Sequence, residues 1–117
     1  MINNVGIDIV LNKKIKKLMS KQSFIEKVLS MEELEVFNTI NNDKRKIEYI
    51  AGRFAAKEAI IKSISNTYPS WNYVDISILN DQTGRPYMKS DLIKEHILIS
   101  ISHCDEYTVA MAVNEEN

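Results

Sequence analysis

Residues 43–63 read DKRKIEYIAGRFAAKEAIIKS, the longest helical pattern in the chain. The run is rich in Ala, Lys, Ile and Glu and free of proline, and Asp43 is placed to cap it, which predicts a helix from Lys44 to about Ser63. Ile47, Ile50, Ala51, Phe54, Ala55 and Ile61 form its apolar stripe. At about 100° per residue, Glu58 falls within roughly 20° of Ile47 and Ala51, and Lys62 follows one turn later. A carboxylate aimed inward needs a partner, because burying an unpaired charge costs on the order of several kcal/mol. An i,i+4 ion pair with Lys62 at a helix edge is one answer; a bound cation or open water is another.

Upstream, Val5 to Val10 alternates like a strand, with Val5, Ile7 and Ile9 on one face and Gly6, Asp8 and Val10 on the other. Aspartate is disfavoured inside strands, so Asp8 also asks for compensation unless it sits at a strand end. Asn12 is placed to cap a helix whose apolar side is Leu11, Ile15, Leu18 and Met19, with Lys13, Lys14, Lys17 and Lys21 mostly opposite. Ser23 with Glu26, and Ser30 with Glu33, read as capping boxes opening two short helices.

Downstream, residues 65–70 form a loop by composition, and the period then changes. Tyr73 to Leu79 reads as a strand, residues 80–85 as a turn, Pro86 to Met88 as a returning strand, and Ser90 or Asp91 as a cap for one or two helical turns before His96. Ile97 to Ser102 and Tyr107 to Val113 form a hairpin of β-branched runs. Helices first and antiparallel strands later make an α+β domain, an antiparallel sheet packed with one long helix and several short ones. In the turn, Gly84 supplies positive φ or approaches a ligand. Ser102 and His103 lie where the hairpin turns, so the histidine is either a phosphate ligand or a solvated loop residue. Arg45, Arg53 and Lys57 are either solvated helix charges or phosphate-binding groups. Adjacent residues in an extended turn point apart, which sets aside a His103–Cys104 nucleophilic pair.

The bulk properties bound the function. The chain has 117 residues, 44% hydrophobic and 26% charged, with net charge −1 and one cysteine. That describes one domain over residues 1–117, neither a general nucleic-acid binder nor a disulfide scaffold. A domain of this size buries only about two-thirds of its unfolded surface, so association with copies of itself helps it. No stretch approaches the roughly 18 apolar residues of a membrane span, and Met1-Ile2-Asn3-Asn4 is unlike a secretory leader. The expectation is a cytoplasmic protein without membrane or nucleic-acid partners.

Four blocks in order resemble the holo-acyl-carrier-protein synthase family: Gly6-Ile7-Asp8-Ile9-Val10; Ala51 to Ala59 with Lys62; Asn80-Asp81 with Gly84-Arg85-Pro86; and Ile99 to His103 with Glu106-Tyr107. The resemblance spans essentially the whole chain. It implies the 4′-phosphopantetheinyl transferase fold and transfer of 4′-phosphopantetheine from coenzyme A to a serine of an acyl carrier protein. It implies that Asp8 and Glu58 hold Mg2+ against the coenzyme diphosphate and that Lys62 contacts phosphate. It implies that Arg45, Arg53, Gly84, Pro86, Ser102 and His103 line or support the coenzyme site, in a homotrimer with sites between subunits. On that reading Asp8, Glu58 and Lys62 are the catalytic group, Glu58 takes the serine proton, and Lys13, Lys14, Lys17 and Lys21 steer an acidic carrier. An idle coenzyme A or nucleotide-diphosphate binder on the same fold is the rival reading; a basic-helix interaction module is another. The chain departs from the family at Leu11, usually Glu; at Lys14, usually Arg, which keeps charge without the planar fork; and in residues 65–69, where a glycine-rich loop is usual.

Overall fold

The computed structural model describes residues 1–64 and 71–116, so the expected loop at 65–70 lies outside the described residues. Five strands form one antiparallel sheet in the order β1-β5-β4-β3-β2: β1 (Ile2–Leu11), β2 (Ser77–Asn80), β3 (Pro86–Lys89), β4 (His96–His103) and β5 (Tyr107–Glu115). Three short helices, α1 (Asn12–Leu18), α2 (Gln22–Val28) and α3 (Met31–Phe37), precede the long α4 (Asp43–Ser63). This is the α+β arrangement expected from the order of periodicities.

The sheet's inner face is thinned so that α4 can lie close to it. Gly6 pairs with Ala112 and Asp8 with Ala110, while Ala55, Ala56 and Ala59 of α4 are fully buried against Ile76, Ile78 and Ile97. A second apolar cluster on the other flank of α4 joins Ile50 and Ala51 to Ile15, Ile25, Val28, Leu29 and Phe37. Because α4 is covered from two sides, its buried arc is wider than one amphipathic stripe, and Ile61, expected in that stripe, is exposed.

The outer face of β1, β4 and β5 is also apolar, yet it is open. Val5, Ile7, Ile9, Leu98, Tyr107 and Met111 are all exposed in the single chain, Ile9 at 62%. Leu11, expected on the buried side of the first helix, belongs to this open face too, through its pairing with Tyr107.

Local chemistry corrects several expected boundaries. Asn12 does not cap α1; its amide donates to the carbonyls of Cys104 and Asp105, and its oxygen accepts from Thr108, so it ties the start of the helix to the last hairpin. Ser23 falls inside the first turn of α2, which begins at Gln22 without a side-chain cap, whereas the Ser30–Glu33 box forms as expected. The cap of α4 is Asn42, which accepts from the Arg45 amide; Asp43 stands inside the first turn. The strand expected from Tyr73 begins only at Ser77, because Asn72 and Asp75 cap each other and close a single 3-10 turn at Tyr73–Asp75. No helix follows Ser90, whose hydroxyl accepts from the amides of Leu92 and Ile93 and donates to the carbonyl of Asp75. Ser90 thus makes the hydrogen bonds of a cap, but no helix continues from it.

Candidate functional site

Strand β1 meets α4 backbone to backbone. A Cβ on Gly6 would stand 1.9 Å from the Ala59 carbonyl oxygen and 3.0 Å from the Lys62 Cβ. Only glycine permits this approach, and it brings Asp8, on the same strand face, beside the C-terminal half of α4. Lys62 Nζ donates to the Ile7 carbonyl at 2.9 Å and pairs with Asp8 Oδ1 at 3.2 Å. The ion pair contemplated between Glu58 and Lys62 is therefore replaced by one across elements.

Glu58 is half-buried and accepts a hydrogen bond on Oε2 from the Tyr73 hydroxyl at 2.8 Å. The phenol is pushed up to about 12, by burial first, then by the hydrogen bond and charge of Glu58, then by the charge of Asp8. Glu58 lies one turn before Lys62 on α4, and Lys62 pairs with Asp8, which places Asp8, Glu58 and Lys62 in a single cluster. The Asp8 side chain is 16% exposed, so the carboxylates sit at the margin of the core with access to a ligand.

Behind this cluster lies a charge network that sequence reasoning missed. Lys57, expected to be solvated or phosphate-binding, is 0% exposed. Its ammonium pairs with Glu33 Oε1 at 2.5 Å and donates to the carbonyls of Val28 and Tyr73 at 2.7 and 2.9 Å. Burial pushes the lysine below its ordinary range, and Glu33 opposes that shift. Glu33 is buried as well and accepts from the amides of Ser30 and Ile78, so five segments meet at one ion pair. The capping box was a signal for where Glu33 points; Tyr73 left none, because a 3-10 turn was hidden in a strand-like run.

Arg45, Arg53 and His103 meet elsewhere, around a cavity of about 280 Å³ that Tyr49 and Asn80 also line. Arg53 stacks 4.0 Å above the Tyr49 ring, and it donates to the Ile78 carbonyl and to Asn80 Oδ1. Much of its donor capacity is spent holding β2, which leaves Arg45 and His103 as the open cationic or hydrogen-bonding groups there. Ser102 shares the outer sheet face with Val109, while His103 pairs with Thr108 on the inner one, so the two neighbours point apart. Gly84, at φ +89°, and Pro86 belong to the β2–β3 turn and strand. Lys13, Lys14, Lys17 and Lys21 are all exposed along α1 and the turn after it.

Among the described residues no group of three or more His, Cys, Asp or Glu side chains converges as an all-protein metal cage. Two carboxylates on separate elements, with a lysine beside one of them, are instead the donor set suited to a small divalent cation that keeps waters and takes phosphate oxygens. Asp8 and Glu58 fit Mg2+ on that chemistry.

The profile of the 4′-phosphopantetheinyl transferase superfamily matches residues 4–112. A holo-[acyl-carrier-protein] synthase of Mycoplasma capricolum is 50% identical over 115 residues, covering 98% of this chain and 96% of that protein. One from Anoxybacillus flavithermus is 43% identical, covering 98% and 97%. The crystal structure of a holo-(acyl-carrier-protein) synthase from Bacillus anthracis, in complex with CoA (3′,5′-ADP), superposes with a TM-score of 0.89 at 34% identity, covering 100% of this chain and 99% of that one.

Proposed function

Since this chain belongs to the holo-acyl-carrier-protein synthase family of the 4′-phosphopantetheinyl transferase superfamily, it transfers 4′-phosphopantetheine from coenzyme A to a serine of an acyl carrier protein, and we propose that Asp8, Glu58 and Lys62 are the residues around which the transfer is organised. The observation that carries this reading is the Lys62–Asp8 pair one helical turn from Glu58, whose carboxylate is held by the Tyr73 hydroxyl.

Asp8 and Glu58 would hold Mg2+. When bound, the ion supplies neutralisation of the coenzyme diphosphate and of the charge that builds on the 3′,5′-ADP leaving group. The residues of the chain do the rest. Glu58, directly or through a water held beside it, takes the proton of the attacking serine. Lys62, its side chain exposed, turns from Asp8 to a phosphate oxygen on the leaving side. Arg45 and His103, with Arg53 supporting the wall of their cavity, bind the phosphorylated nucleoside end of the coenzyme. The exposed lysines 13, 14, 17 and 21 attract the acidic carrier.

The working form is a homotrimer with sites between subunits. Pro86 lies three strand spacings from Asp8 across the sheet, about 14 Å at ~4.8 Å per strand, and on this reading the coenzyme-binding turn of one copy serves the acids of another. The open apolar face of β1, β4 and β5 is the surface such copies would cover. Ile9→Asp is expected to dissociate the assembly in sedimentation velocity and to reduce transfer in parallel. A variant that stays assembled and fully active would remove this face from the interface.

Among the described residues no helix is long and apolar enough to cross a membrane, and a cytoplasmic, single-domain enzyme feeding fatty acid synthesis is the setting proposed. The test of the function is direct. Apo acyl carrier protein incubated with the chain, coenzyme A and Mg2+ gains the mass of the phosphopantetheine arm, and the gain disappears without the coenzyme or after chelation. Coenzyme binding with no mass gain would identify an idle binder instead.

A further inference from the structure

Glu58 projects from a helix on a side chain with three rotatable bonds, and ordering such a side chain costs rotamer freedom. Among the described residues the one group that donates to its carboxylate is the Tyr73 hydroxyl. Tyr73 is itself held from several directions. Its carbonyl accepts from the buried Lys57, its ring lies 5.6 Å from that of Phe54 on α4, and Trp71 meets it edge-on at 6.4 Å. The mutual caps of Asn72 and Asp75 close the turn around it.

We infer that Tyr73 is a positioning residue for Glu58: its hydroxyl fixes one carboxylate oxygen so that the other is presented to the divalent ion shared with Asp8. The inference rests on the reading of Asp8 and Glu58 as the metal pair. The residue type matters. A phenol contributes a single hydrogen and no positive charge at neutral pH, so it orients an ionised carboxylate without competing with a cation. A lysine in its place would do what Lys62 does to Asp8 and neutralise the ligand. The buried Lys57–Glu33 pair thereby reaches the site through the Tyr73 backbone rather than through charge.

Tyr73→Phe removes the oxygen and keeps the ring against Phe54 and Trp71. Groups that orient a metal ligand typically contribute about 10- to 100-fold in metal affinity. The expected result is an Mn2+ dissociation constant weakened by about 10-fold, read as free Mn2+ by electron paramagnetic resonance on the enzyme with coenzyme A, with enzyme-free coenzyme A subtracted. The KM for the carrier protein should not change. Phe54→Leu, which loosens the same ring contact and leaves the hydroxyl, is the control for a packing effect and should leave Mn2+ binding near that of the unaltered chain. Equal weakening in Tyr73→Phe and Phe54→Leu, or no weakening in Tyr73→Phe while Glu58→Gln loses the metal, overturns the positioning role alone. Unchanged Mn2+ binding in Glu58→Gln and Asp8→Asn overturns the metal pair itself.

Discussion

Asp8→Asn and Glu58→Gln each reduce kcat/KM for transfer by about 10³-fold or more, while the melting temperature stays within a few degrees of the unaltered chain. The magnitude follows from what each group does in the proposed site: removing a single preorganised electrostatic contact, or a positioned general base, typically costs about 10²–10⁴-fold. Both substitutions preserve shape and remove charge, so they test charge. Neither acid carries the fold. Asp8 makes one partly exposed ion pair, whose contribution to stability is small, and Glu58 accepts one hydrogen bond that an amide oxygen can still accept. The two losses should be far from additive in the double variant, because acids that share one ligand act as a unit. Carrier-protein mass after timed incubation is the measurement, with melting as the control. Near-normal transfer in both single variants would leave the proposed chemistry without a centre.

Lys57→Met has the largest expected effect on stability, a loss of about 3–5 kcal/mol, because it strands the Glu33 carboxylate in a fully buried position. For a chain of this length that corresponds to a melting temperature lower by about 12–20 °C. The carbonyls of Val28 and Tyr73 lose their donor at the same time. A buried ion pair is not itself evidence of stabilisation, since both partners can often be replaced together at little cost. The double variant Glu33→Gln with Lys57→Met should accordingly recover about 1–3 kcal/mol relative to Lys57→Met alone, as expected for two groups in direct contact. Calorimetric melting of the two variants beside the starting chain decides it. A single variant as stable as the starting chain would mean that Glu33 is paired or protonated in some other way.

Much of this site was legible because its residues break the local rules of their elements. An aspartate inside a strand and a glutamate on an apolar helix stripe both demanded partners. What the sequence concealed were the groups satisfied by tertiary contacts. Lys57 reads as a helix charge like Arg45, and only packing against α2, α3 and the turn at Tyr73 makes it the most deeply buried cation described. Glu33 reads as one half of a capping box, which turns it back toward the chain but does not reveal Lys57 as its partner. The expected 73–79 strand failed for a related reason: β-branched and aromatic residues satisfy strand propensity, but the reciprocal Asn72–Asp75 hydrogen bonds captured the amides first. The outer face of β1 was visible as an apolar row, but alternation alone does not say which row meets the helix.

The contact at Gly6 bears on which ion can be accepted. Where two main chains touch, the gap between strand and helix is a van der Waals diameter, and no choice of side chain can make it smaller or repack it. Mg2+ demands oxygens near 2.1 Å, whereas Ca2+ takes them at about 2.3–2.6 Å in looser arrangements. On the proposed reading, discrimination between the two ions is written into a position that bears only hydrogen, and a single methyl there would act as a wedge opening the claw toward the larger one.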